Sequence, residues 1–247
     1  PGGVSVRSIE VTAYGRSARV DVSDESAERL LIDRLPPGFA PRGTEPEVEP
    51  ERTWTAASSS DLMARVLPEL ELWVAEWAHD QAFVHAGCVA GRGRAVVIPG
   101  RSHAGKSTLT AALLRRGAAY MSDEYAVLGL DGRVQAYPRR LRMRRAAGWS
   151  EVSPGDLGAA VEMGPLPLAV VARLTFAPDG WKITRMSRAR GALEMLDNTV
   201  CARSRPETAM SAVAAAVQSA VVVTGTRGEA ADAAGRLLDL ADQAIAD

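Results

Sequence analysis

The chain has 247 residues, 29 Lys and Arg against 30 Asp and Glu, and a hydrophobic share of 47%. Such a chain suits one large domain, or a core domain with a smaller appendage, and its near-neutral balance argues against a general nucleic-acid binder. No apolar run reaches the roughly 18 residues of a membrane helix. The opening "PGGVSVRSIEV" has neither the basic start nor the apolar core of a signal peptide, so the expectation is a cytoplasmic protein with no membrane partner. Cys88 and Cys201 form no ligand cluster and read as small buried thiols. Lysine occurs only at Lys106 and Lys182, so arginine carries nearly all the basic charge and an arginine-rich stretch says less here than elsewhere.

Residues Ile9 to Val22 alternate apolar and polar on either side of "YGRS", the pattern of a β-hairpin. Ser26 to Leu35 reads as a short helix stopped by Pro36-Pro37. The proline- and acid-rich run to about Arg52 reads as a linker or long loop. A helix follows from Asp61, capped by Ser60, with Leu62, Val66, Leu70, Trp73 and Trp77 on one face and a kink expected at Pro68. Its tryptophans read as core. "AFVHAGCVA" and "RAVVIPG" are strands joined at "GRG", and a helix spans Lys106 to Arg116. "AAYMSDEYAVLGLDGRVQAYP" reads as a strand and a hairpin turning at Asp131-Gly132. "LAVVARLTFAPDGWKITRM" reads as a further hairpin turning at Asp179-Gly180. Helices near Arg190–Leu196 and Glu207–Gln218, a strand "AVVVTG" and a helix from Glu229 complete the chain, with no internal repeat.

Between the second strand and its helix stands "GRSHAGKS", which satisfies G-x-x-x-x-G-K-[ST] with Gly100, Gly105, Lys106 and Ser107. The glycines let successive backbone N–H groups turn toward phosphate oxygens, Lys106 brings a mobile charge to the β- and γ-phosphates, and the Ser107 hydroxyl suits Mg²⁺. The apolar strand before and the helix-forming run after are the context this motif requires. Residues Gly100, Arg101, Ser102, His103, Ala104, Gly105, Lys106, Ser107 and Thr108 are therefore the candidate nucleotide-binding residues. The next strand ends "YMSDEY", which brings Asp123 and Glu124 close after the helix, earlier than the acid of an ordinary P-loop GTPase.

Four pieces in order, "VHAGCVA", "GRSHAGKSTLTAALLRRG", "YMSDEYAVL" and "YPRRLRMR", resemble the HPr kinase/phosphorylase-related serine kinases, whose P-loop fold is shared with phosphoenolpyruvate carboxykinase. The resemblance covers Phe83 to Arg145, continues more loosely through "PLPLAVVARLTF" and the carboxy-terminal helices, and leaves the amino-terminal region uncovered. It implies that His85 lies by the reacting phosphate, that Lys106 and Ser107 hold phosphate and magnesium, and that Asp123 takes the proton of the acceptor hydroxyl. Glu124 stands where the family has a second aspartate, so the implied metal set is Ser107, Asp123 and Glu124. From the residues alone, His85 also fits a satisfied core histidine and Asp123 a turn or cap residue. A family glutamate that helps hold magnesium aligns with Arg142, and no glycine follows Arg144. The segment that carries phosphorylase activity has no counterpart. Arg142 and Arg144 in "PRRLRMRR" fit phosphate or acceptor contacts, and equally a solvated strand.

These readings combine into an α/β protein. Residues 51–247 form a P-loop kinase domain, a twisted mixed sheet flanked by helices, and residues 1–50 form a small β-containing unit with its linker. The function implied is an ATP- and Mg²⁺-dependent kinase acting on a Ser or Thr hydroxyl of a peptide or small protein, some relatives modifying precursor peptides. A small-molecule kinase of the same fold and a nucleotide-binding regulatory module with weak ATPase activity are the alternatives. Relatives form oligomers, so a homo-oligomer is compatible, with no subunit number implied.

Overall fold

A computed structural model describes residues 6–42, 49–100, 105–145, 148–178 and 180–246. The chain divides into two units, Pro1–His79 and Asp80–Asp247. This moves the boundary from near residue 50, because residues 52–77 complete the first unit's sheet and core.

In the first unit β1 (Arg7–Ala13) and β2 (Arg16–Val22) pair in register from Arg7↔Val22 to Ala13↔Arg16. Their turn places Tyr14 and Gly15 at φ 49° and 76°, the left-handed pair that suits the twist of a two-residue hairpin. α1 (Glu25–Arg34) is capped by the Asp24 side chain, which accepts from the Ala27 N–H. The expected linker is only partly one: β3 (Phe39–Pro41) pairs with β1 and β4 (Arg52–Thr55) runs parallel to β2, giving the order β3-β1-β2-β4. α2 (Ser59–Asp61) is capped by Ser58, two residues earlier than expected, and runs through a π turn (Leu62–Val66) into α3 (Leu67–Trp77). The kink expected at Pro68 is replaced by that wide turn, in which the Leu67 N–H reaches back to the Leu62 carbonyl and Pro68 sits where a helix segment needs no donor. Leu62, Val66, Leu70 and Trp73 join Val20, Leu31 and Trp54 in the core, whereas Trp77 is 39% exposed and is not core.

The second unit is an α/β sandwich. β5 (Gln81–Gly91) pairs antiparallel with β6 (Arg94–Pro99), with β7 (Ala119–Ser122) and with β8 (Tyr125–Gly129), and β9 (Val134–Gln135) pairs with β8. β12 (Leu168–Phe176) lies parallel to β6, β14 (Val221–Arg227) parallel to β12, and β13 (Lys182–Met186) antiparallel to β14 at the edge. The expected hairpin of "LAVVARLTFAPDGWKITRM" is thus opened: β14 inserts between β12 and β13. β12 is buried on both faces from Leu168 to Ala172 and needs a strand on each side, while the polar β13 suits an edge. Asp179 of the expected turn lies outside the described residues. α4 (Lys106–Arg115) and α7 (Ala230–Ala246) cover one face, α5 (Arg188–Leu196) and α6 (Pro206–Val217) the other. Alternation along β6 sends Val97 to one core and Val96 and Ile98 to the other. β10 (Leu141–Arg145) and β11 (Gly148–Val152) form a separate antiparallel hairpin. Cys88 and Cys201 are both buried, as expected. Among the described residues no helix is long and apolar enough to cross a membrane.

Candidate nucleotide site

β6 ends at Pro99, so Gly100 leaves at the carboxyl end of a central strand, and its N–H donates to the His85 carbonyl at 3.3 Å. Gly105, at φ 78°, is the cap residue from which α4 starts, a left-handed conformation that favours glycine. Arg101, Ser102, His103 and Ala104 lie outside the described residues. Lys106 opens α4, is buried, and its Nζ donates to the Gly100 carbonyl at 2.7 Å. Burial holds its pKa below the ordinary lysine value, with Asp123 and Glu124 acting in the opposite sense. Ser107 is half-buried and Thr108 exposed. α4 approaches β5 closely enough that a Cβ on Gly87 would stand 2.6 Å from Thr110 Oγ1.

The acid pair is set by a local turn. Ser122, fully buried at the end of β7, accepts from the Glu124 N–H at 3.2 Å and the Tyr125 N–H at 3.0 Å, folding the chain straight into β8. Asp123 is 9% exposed, and its Oδ1 is buried with no hydrogen-bond partner. Burial pushes its pKa up to about 6; Ser107 hydrogen bonding pulls down, the Glu124 charge pushes up, and Lys106 and the Arg142 backbone pull down. The carboxyl is therefore mostly ionised at neutral pH and a stronger base than an ordinary aspartate.

Glu124 is turned toward β5, with its Oε1 3.5 Å from His85 Nδ1. His85 lies opposite Tyr125 in the β5–β8 ladder, its ring 5.9 Å from that of Tyr125. Its pKa is lowered to about 4, by burial first and then by the Lys106 charge, against a hydrogen bond to the Glu124 backbone. The imidazole is thus neutral at pH 7 and its contact with Glu124 is polar, not ionic. Arg142 is exposed with its guanidinium 5.7 Å from the Trp149 ring centroid, while its backbone faces the Asp123 carboxyl. The Arg144 backbone lies in β10, and its side chain is outside the described residues.

The structure therefore brings His85, Gly100, Gly105, Lys106, Ser107, Asp123 and Glu124 to one edge of one sheet. Among the described residues no three His, Cys, Asp or Glu side chains converge. A buried, unpartnered carboxylate oxygen beside a hydroxyl nevertheless suits Mg²⁺, which takes few protein ligands and completes its shell with phosphate and water. Three contributors escaped the sequence reading. Ser122 and Gly87 had local signals, a serine two residues before Glu124 and an isolated glycine inside an apolar strand. Arg227, whose Nη2 donates to the Gly105 carbonyl at 3.3 Å, lies 122 residues away in the chain and had none. A groove of about 420 Å³ lined by Tyr14, Arg16, Arg42 and Glu51 belongs to the first unit and holds none of these residues. No family model matches the chain, and no curated protein matches it significantly.

Proposed function

We propose that the second unit is a P-loop kinase of the HPr kinase-related kind, transferring the γ-phosphoryl group of ATP to a Ser or Thr hydroxyl of a peptide or small protein. The observation that carries this reading is the Asp123 carboxyl, buried and one oxygen unpartnered, beside Ser107 and Lys106 where a parallel strand passes into a helix. Ligands of open α/β sheets bind at that carboxyl edge. Gly100, Gly105 and the first turn of α4 offer backbone N–H groups to phosphate, and Lys106 balances charge on the transferring group. Ser107 and Asp123 would hold Mg²⁺, and Glu124, which follows Asp123 and has its Oε1 3.5 Å from His85 Nδ1, would be the further carboxylate of the set. When bound, the ion would neutralise charge on the phosphate oxygens.

Asp123 also aligns the acceptor. Its carboxylate accepts the hydrogen bond of the attacking hydroxyl; the new O–P bond forms as the bond to ADP breaks, and the hydroxyl proton passes to Asp123. His85, being neutral, orients rather than donates a charge. The alternative of a regulatory module with weak ATPase activity draws support from Arg142, an exposed cation where the resembled family has a glutamate.

Transfer of label from γ-labelled ATP with Mg²⁺ to a library of serine peptides and small proteins tests the proposal. Label on a hydroxyl, lost in both Lys106→Ala and Asp123→Asn, supports the kinase. Phosphate released only to water, or tight ATP binding with no turnover, favours the module.

A further inference from the structure

The second unit holds a buried cation that the chemistry above leaves unused. Arg227 ends β14 and is 4% exposed. A guanidinium out of water is costly unless an opposite charge completes it. Among the described residues none forms an ion pair with it, and Glu229 acts only at longer range. Its Nη1 donates to the Gly228 carbonyl at 3.0 Å and its Nη2 to the Gly105 carbonyl at 3.3 Å. Those carbonyls solvate the cation without neutralising it, and a guanidinium has more donors than the two bonds use. Phe176, itself 56% exposed, lies 5.7 Å from the guanidinium carbon and shields one side.

The topology explains why this cation stands where it does. Phe176 and Arg227 are registered partners at the ends of the parallel strands β12 and β14, and β12 is parallel to β6. All three strands present their carboxyl ends together, and β6 delivers Gly100 to that edge. A Cβ on Gly105 would stand 2.5 Å from Arg227 Nη2, so any side chain there would push the guanidinium off the Gly105 carbonyl. The motif is thus held at both ends by a cation on a carbonyl: Lys106 at Gly100 and Arg227 at Gly105.

We propose that Arg227 is the second phosphate-binding cation of this site, clamping the Gly105 carbonyl and completing its own buried charge on the phosphate chain of the nucleotide. The inference rests on the nucleotide reading above and adds to it a residue distant in sequence. Its planar fork supplies directed hydrogen bonds where Lys106 supplies a point charge.

Equilibrium binding of ATP, inorganic pyrophosphate and adenosine to the full chain, wild type against Arg227→Met and Arg227→Lys, tests it, with the ligand-free melting curve of each as a check on folding. Arg227→Met is expected to weaken ATP and pyrophosphate by about 10- to 100-fold, the loss of one charge-assisted contact, and to leave adenosine unchanged. Arg227→Lys falls between, because it keeps the charge and loses the fork. Should the Met variant not fold, the Lys variant decides on the same comparison. Unchanged ATP affinity, or adenosine weakened in parallel with ATP, overturns the inference and leaves Arg227 a scaffold residue. Wild type that binds neither ATP nor pyrophosphate overturns the nucleotide reading and this inference with it.

Discussion

Asp123 gives a test in which stability and activity move in opposite directions. Its carboxyl rises from 3.8 to about 6 on folding, chiefly because burial disfavours the charged form. A group that binds its proton more tightly when folded supports the fold below the unfolded pKa and loses that support as pH rises through the folded one. Ionising Asp123 therefore costs the folded protein about 3 kcal/mol by pH 8, of which about 2 kcal/mol develops between pH 4.5 and 8. Asp123→Asn removes the titration. Whatever the amide costs by lodging in the same place is constant with pH and cancels when two pH values are compared. The melting midpoint of the variant, relative to wild type, should thus gain about 4–8 °C between pH 4.5 and pH 8 for a unit of this size. The assay is thermal unfolding across that range, without nucleotide and with chelator present. Phosphoryl transfer by the same variant should fall by about 100-fold or more. A stability difference flat with pH would refute the reasoning, because it would mean that Asp123 is not desolvated.

His85, with its pKa lowered to about 4, should show imidazole ¹⁵N shifts of the neutral ring throughout pH 5 to 8; a titration midpoint above 6 would remove it from the buried edge beside Lys106. Its contribution to stability has the opposite sign to that of Asp123, growing as pH rises from the folded value toward 6.5. Gly87→Ala should cost about 1–3 kcal/mol and weaken ATP binding, since the new methyl group meets Thr110 Oγ1 and displaces the start of α4. Thr110→Ala in the same chain should recover most of that loss, because it deletes a buried hydroxyl that has no partner; additive losses in chemical denaturation would argue against the contact. A fragment of residues 80–247 should bind ATP as tightly as the full chain, as isothermal calorimetry would show, because every candidate site residue lies in the second unit.

Local patterns were legible in the sequence because their causes are local. Alternation about Tyr14-Gly15 marked the first hairpin, the apolar run before Gly100 and the helix-forming run after Gly105 marked β6 and α4, and "SDEY" placed an acid just past a buried strand end. Each depends on side-chain period or on residues within one turn of one another. Contacts that close large loops of chain leave no such trace. Only the tertiary structure put β14 between β12 and β13, because a doubly buried strand must find a second apolar neighbour wherever the chain can bring one. Only the fold joined residues 52–77 to the amino-terminal sheet, and only burial lifted the Asp123 pKa and turned Glu124 toward His85. Arg227 is the sharpest case: one arginine among many in the sequence, it is singled out by standing at the carboxyl end of a strand two places from β6, with its charge sealed against Gly105.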